Sequence, residues 1–142
     1  MKIIRIVLAV LLLAMLSSSA AFAAGKEEKV LYHINDGANP MAALNNIRNH
    51  LDASPKAKIV VVTHGSGIDF LLDGAKDRNG NPYDAVVQEL VNRDVQFRVC
   101  NNTLVTRKID RKNVLTEATI VASGVAEVSR LQTQEGYAYI KP

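Results

Sequence analysis

Cys100 is the residue of this sequence best suited to chemistry, and it is the single cysteine among 142 residues. Residues 95–99 before it indicate a buried strand, and Asn101 and Asn102 after it indicate the start of a helix. Free N–H groups at a helix start stabilise negative charge, so a thiol at such a junction favours its thiolate form. The pattern predicts a nucleophile; the simpler alternative is a small, buried core residue.

Two histidines occupy positions from which they could serve this thiol. His33 lies near the end of the first predicted strand, and His64 follows the second. If the strands run parallel, their carboxyl ends meet at the edge of the sheet where ligands bind, and an imidazole there can take the proton of a thiol. We therefore predict Cys100, His64 and His33 as catalytic residues. The sequence leaves the strand order and the distances open. Hydrogen-bonded packing on the strand is the simpler role for His33, and shaping the turn is the simpler role for His64.

Backbone groups near these side chains indicate a ligand site. Gly65, Ser66 and Gly67 follow His64 directly; the two glycines allow close approach to the backbone, and a helix beginning there would present its N–H groups. Together with Asn101 and Asn102 they form the predicted ligand-binding residues. A plain strand-to-helix turn is the simpler explanation of the two glycines, and helix capping is the simpler explanation of the asparagines.

Short β-branched runs alternate with amphipathic segments along the chain, and these elements must position the candidate residues. Such alternation predicts an α/β fold in which a mostly parallel sheet is covered on both faces. The predicted strands are 29–34, 58–63, 95–100, one within 115–122, and 137–140. The predicted helices cover about 40–53, 82–93, 101–110 and 123–131, with a short helical piece over 68–75.

The first 23 residues have the pattern of an export signal. A basic start at 1–5 precedes an apolar run at 6–16, and the small-x-small pattern Ala21-Phe22-Ala23 follows. This order predicts a secretory signal peptide cleaved after Ala23, and hence a periplasmic protein. The apolar run is about half the roughly 20 residues that span a bilayer, so no stable membrane anchor is expected. Residues 24–142 then form one domain of modest size.

Composition excludes several classes of function. Removing Lys2 and Arg5 with the signal lowers the formal charge from +3 to +1, and no basic stripe with aromatic residues remains, so nucleic acid is not an expected partner. The basic cluster at 107–112 is more simply a solvated surface than an anion site. Paired zinc-ligand spacings, a Gly-x-Ser-x-Gly elbow and a Walker loop do not occur, so we expect neither a metal nor another cofactor.

Four segments carry a resemblance to a known family. The turn His64-Gly65-Ser66-Gly67, the segment FRVCNNTL at 97–104 and the tail segments at 121–127 and 134–142 resemble the DsrE/DsrF-like family, in particular its exported, poorly characterised members. The resemblance implies a three-layer α/β/α sandwich with a five-stranded sheet, and trimers or hexamers. It also implies a cysteine that carries sulfur as a persulfide between partner proteins, a role that only Cys100 can take here.

Two classes of function follow from these patterns. The first is a periplasmic protein that handles sulfur, persulfides or thiols through Cys100, with a sulfur donor or acceptor protein as its partner; whether it is an enzyme stays open. The alternative is a homo-oligomeric protein without catalysis, which binds a small ligand or serves as an assembly subunit.

Overall fold

A five-stranded parallel sheet forms the centre of the protein. The computed structural model describes residues 27–142, so the predicted signal peptide at 1–23 lies outside the described residues. The strand order is β4-β3-β2-β1-β5, and each neighbouring pair is parallel. The strands are β1 (Lys29–Ile34), β2 (Lys58–Thr63), β3 (Gln96–Cys100), β4 (Ala118–Val121) and β5 (Ala138–Ile140).

Helices connect the strands on both faces of the sheet, which confirms the expected three-layer α/β/α sandwich. The side chain of Asn39 accepts a hydrogen bond from the N–H of Ala42 at the start of the first helix, and Gly136, with φ of 73°, ends the last one. The helices are α1 (Pro40–Ala53), α2 (Tyr83–Val91), α3 (Asn101–Thr106) and α4 (Gly124–Glu135), with 3₁₀ segments at Gly65–Leu71 and Arg111–Asn113.

The two faces of the sheet bury unequal cores. Side chains alternate along each strand, so neighbouring residues enter opposite layers. On one face the sheet packs against α1, α2, α3 and the segment Gly65–Leu71, which form the larger core. On the other face α4 is the one helix among residues 27–142 that covers the sheet, and its core consists of Leu31, Val60, Val62 and Leu131. The α4 face is therefore the thinly covered side of the molecule.

Helix α3 is shorter than its sequence pattern indicates. It ends at Thr106 rather than near residue 110, because Lys108 adopts a left-handed conformation with φ of 54°. The N–H of Lys108 then donates to the carbonyl of Val105, and the N–H of Ile109 donates to that of Leu104. This is the Schellman arrangement, which glycine usually supports. Because this residue is a lysine and not a glycine, the sequence does not indicate where the helix ends.

Membrane spans can be assessed only for the part of the chain that the structure describes. No helix within residues 27–142 is both long enough and apolar enough to cross a bilayer.

Candidate functional site

The predicted catalytic residues lie in order along the carboxyl edge of the sheet. Cys100 ends β3, His64 follows β2, and His33 lies in β1, and these three strands are consecutive neighbours. Val99 and Ile34 belong to the larger core, so the alternation of side chains places Cys100 and His33 on the α4 face. The strand order that the sequence left open therefore brings all three predicted residues to one side of one edge.

Cys100 occupies the junction of two helix starts. It is the residue that precedes α3, and it is 5% exposed. The first residue of α4, Gly124, lies against it: a Cβ placed on Gly124 would sit 3.2 Å from the Cβ of Cys100 and 3.1 Å from the Cβ of His64. Only a residue without a side chain lets the backbone of α4 approach both groups this closely.

These helix starts supply hydrogen-bond donors to the sulfur. Burial raises the pKa of the Cys100 thiol, but the N–H groups of Gly124, Thr103 and Asn102 and the hydroxyl of Thr103 together outweigh burial, so the pKa falls below its ordinary value of 9.0. No side-chain bond of standard geometry caps α3. The donors therefore act mainly by directing their partial positive charge at the sulfur, which stabilises the thiolate.

A cavity of about 330 Å³ opens beside the sulfur. Its volume suits a small molecule or one side chain of a partner. Of the predicted ligand-binding residues, Gly65 and Asn102 line it, and Asn101, Ser66 and Gly67 do not. The lining residues are His64, Gly65, Cys100, Asn102, Thr103, Thr106, Arg107, Ser123 and Val125.

The Gly-Ser-Gly turn makes contacts within the fold. The hydroxyl of Ser66 accepts the N–H of Gly37 at 3.0 Å, and the N–H of Gly67 donates to the carbonyl of His64 at 3.1 Å. A Cβ on Gly67 would overlap the carbonyl oxygen of Ile34. Ser66 and Gly67 thus pack the turn against the loop that follows β1, and of the three turn residues Gly65 alone faces the cavity.

Helix α3 holds Gly65 by both of its backbone polar groups. The N–H of Gly65 donates to Oγ1 of Thr103 at 3.0 Å, and its carbonyl accepts from Nη1 of Arg107 at 3.0 Å. The guanidinium of Arg107 also pairs with Asp69. Helix α3, which directly follows Cys100, therefore also fixes the position of Gly65, the residue next to His64.

His33 and His64 form a pair of stacked rings. Their centroids are 4.8 Å apart, and the ring planes are inclined by 36°. Burial lowers the pKa of both imidazoles; the neighbouring His64 and Lys141 lower that of His33 further, and Lys141 does the same for His64. Both rings are therefore neutral at neutral pH, and the Cys100 thiolate is stabilised by N–H donors rather than by an imidazolium.

Each ring of this pair keeps an unused nitrogen. The Nε2 atoms of His33 and His64 are buried, and neither has a hydrogen-bond partner among residues 27–142. The Nδ1 atom of His33 is bonded to the hydroxyl of Tyr139 at 2.7 Å. Leaving a buried nitrogen without a hydrogen bond costs free energy. A neutral imidazole with a free lone pair can accept a proton.

Sequence reasoning missed three contributors to the site. Thr103 lies three residues after Cys100, which is the spacing between a cap residue and the third residue of a helix, and this signal was available. Gly124 directly follows the capping residue Ser123, which explains it as a helix start without indicating the contact to Cys100. Tyr139 reaches His33 across 106 residues of sequence, and no local pattern reports such a contact.

The fold and the site define the class of protein. It is an all-parallel α/β protein with one cysteine at the carboxyl edge of its sheet, beside two helix starts. The chain belongs to the DsrE/DsrF-like family, whose sequence profile matches residues 13–142. No curated protein matches the chain.

Two solved structures share the fold. One is a protein of unknown function, MTH1491, from Methanobacterium thermoautotrophicum: it is 32% identical with a TM-score of 0.71, and the match covers 82% of this chain and 100% of that one. The other is the ychN protein from E. coli, at 11% identity and a TM-score of 0.62, covering 81% of this chain and 100% of that one. The second likeness concerns the fold alone.

Proposed function

We propose that this protein is a sulfur-handling protein that accepts a sulfane sulfur on Cys100 and passes it to another thiol. The observation that carries the proposal is the set of N–H and O–H donors directed at the Cys100 sulfur beside a small cavity. Membership of the DsrE/DsrF-like family supports it, since a persulfide on a cysteine is the role which that resemblance implies.

The transfer is an exchange at the terminal sulfur of a donor persulfide, R–S–SH. The Cys100 thiolate attacks that sulfur, the S–S bond of the donor breaks, and R–S⁻ leaves with the bonding electron pair. The product is Cys100–S–SH. The sulfane sulfur moves from one thiol to another, so neither an oxidant nor a reductant is consumed.

His64 is the group placed to move the proton of this exchange. It lines the same cavity as Cys100, and its ring is neutral at neutral pH because its pKa is lowered by burial and by Lys141. In this proposal His64 takes the thiol proton of Cys100 and returns it to the leaving R–S⁻, so the net products are Cys100–S–SH and R–SH. His33 supports the ring of His64 by stacking against it.

The setting of this chemistry is also part of the proposal. The pattern of residues 1–23 supports export to the periplasm, where a single unpaired cysteine is exposed to oxidants and to other thiols. The thin cover of the α4 face supports assembly into trimers or hexamers. A sulfur donor or acceptor protein would then meet Cys100 at the mouth of its cavity.

A persulfide donor tests the proposal directly. We expect the purified protein treated with a small organic persulfide to gain the mass of one sulfur atom, and we expect Cys100→Ser to gain nothing. Intact-mass analysis measures both, and release of the sulfur to an added thiol should restore the starting mass. A native Cys100 that neither this donor nor an alkylating probe modifies would refute the proposal.

A second function has one observation in its favour. Cys100 is only 5% exposed, as expected for a small core residue in a binding or assembly protein without catalysis. In that case Cys100→Ala retains the biological function of the protein and changes its stability by no more than about 1 kcal/mol. Complementation by Cys100→Ala in a strain lacking the native protein separates the two functions.

A further inference from the structure

Thr103 is placed between the cysteine and the turn that carries His64. It lies three residues after Cys100, where the third residue of a helix lies beside the residue that precedes the helix. Its Oγ1 accepts the N–H of Gly65 at 3.0 Å, and Thr103 lines the same cavity as Cys100 and His64. One side chain therefore lies beside both halves of the site.

The bond from Gly65 determines what the Thr103 hydroxyl can do. A hydroxyl has one hydrogen to donate and accepts through its lone pairs. A backbone N–H only donates, so the Gly65 contact uses a lone pair of Oγ1 and leaves the hydroxyl hydrogen free to point elsewhere. The Cys100 sulfur lies at the cavity that Thr103 also lines, and the Thr103 hydroxyl is among the donors that lower the pKa of that thiol.

In a helix, the hydroxyl of a threonine can instead donate to the backbone carbonyl one turn back. Thr133 in α4 makes this bond, since its hydroxyl donates to the carbonyl of Ser129 at 2.8 Å. Within the described part of the chain, Thr103 has no hydrogen bond of this kind to a carbonyl. Thr103 and Thr133 are thus the same residue type in two helices with different hydrogen-bond arrangements.

We propose that Thr103 is a positioning residue: a relay from the Gly65 N–H through the Thr103 hydroxyl directs one hydrogen bond at the Cys100 sulfur and couples the sulfur to the turn that holds His64. The relay acts on the thiolate form of Cys100. Its part in sulfur transfer rests on the proposed function.

Titration of the thiol in the full chain tests the relay, and because the chain has one cysteine, a single thiolate contributes to the ultraviolet signal. Hydrogen bonds to charged groups contribute roughly 1.5–3 kcal/mol, so we expect Thr103→Val to move the titration midpoint upward by about one pH unit or more. Thr103→Ser, which keeps the hydroxyl, should stay close to the wild type. Thr133→Val is the matched control and should leave the midpoint unchanged.

A folded Thr103→Val protein with the wild-type midpoint would overturn the relay. Because valine places a methyl group against a buried sulfur, a second measurement uses the unaltered protein. The amide proton of Gly65, followed by NMR across the thiol titration, should shift with the midpoint of Cys100, since the Thr103 hydroxyl polarises when it donates to a thiolate. A Gly65 amide that does not respond would refute the relay independently.

The relay and the proposed function fail in distinguishable ways. If the midpoint moves in Thr103→Val but the wild type forms no persulfide, the relay stands and sulfur transfer is wrong. If both hold, Thr103→Val should react with the persulfide donor about tenfold more slowly below the titration midpoint, and at nearly the wild-type rate well above it. A slowing that is equal at every pH would show that Thr103 acts through structure and not through the thiolate.

Discussion

Two uncharged imidazole rings lie in contact at the carboxyl edge of the sheet. The rings of His33 and His64 stack at 4.8 Å, and Lys141 adds a positive charge nearby. Protonating either ring places a cation beside its neighbour and beside Lys141. Both rings therefore stay uncharged at neutral pH, so His64 is available as a proton acceptor.

The stability of the folded protein should report this pair. Burial is the main cause that lowers the pKa of both rings below 6.5, so the unfolded chain takes up protons first as the pH falls. We expect the free energy of unfolding to be highest above pH ~6.5 and to fall below it as the folded rings resist protonation. The loss should stay under about 1 kcal/mol per ring because both are partly solvated.

Urea unfolding between neutral pH and pH ~5 measures this loss. His64→Gln should flatten the pH dependence, and Lys141→Gln should reduce it by removing one repulsive charge. A protein whose unfolding free energy is independent of pH across this window would contradict the expectation.

At the level of elements, the turn after β2 shows why a glycine pattern can indicate two different roles. Gly65 faces the cavity and is held by α3, whereas Gly67 lies where the backbone of Ile34 leaves no space for a side chain. The same three-residue motif therefore combines a site residue with a packing residue. A substitution at Gly67 affects folding before it affects chemistry.

Gly67→Ala should destabilise the protein by about 3 kcal/mol or more, because the atom that the new methyl group meets is backbone and cannot rotate away. Gly74→Ala is the matched control: Gly74 has φ of 73°, and a Cβ added there would meet no other atom within 4 Å, so its cost should be near 1 kcal/mol from backbone strain alone. Denaturant unfolding measures the free energy of unfolding of both variants. Equal costs at both positions would show that the Ile34 contact relaxes.

Most of the fold can be read from the sequence, and most of the site's contacts cannot. Continuous β-branched runs such as 58–63 predict buried parallel strands because burial on both faces requires apolar side chains throughout. Strand order is different: it depends on how helices cross the sheet, which no local pattern encodes. The neighbourhood of Cys100 and His64 and the close approach of Gly124 therefore become visible only in three dimensions.

At the scale of the whole molecule, the unequal layers leave one side open to contact. Within the described part of the chain, α4 is the one helix on its face of the sheet. There the largely buried pair of Arg98 and Glu127, with side chains 16% and 12% exposed, joins β3 to α4. Val125, in α4 itself, remains 62% exposed. Exposed apolar side chains beside a thin layer are typical of a surface that a partner covers.

Sedimentation of the purified protein at micromolar concentration should show trimers or hexamers. Val125→Lys places a charge in the exposed apolar surface and should shift the protein towards monomers without changing its circular dichroism spectrum. Ala85→Lys, at an exposed position of α2 on the opposite face of the sheet, is the matched control and should leave the assembly intact. A wild-type protein that sediments as a monomer would count against assembly.

The bond between Tyr139 and His33 has a consequence for the order in which the protein matures. Strand β5 pairs with β1, so the ribosome makes the two partners 106 residues apart. Until β5 is made and docks, one edge of β1 is unpaired and His33 lacks the hydroxyl of Tyr139. The thiol at residue 100 is thus made after both imidazoles but before Tyr139, so the ring of His33 gains its last hydrogen-bond partner only when β5 docks, as the final step of assembling the site.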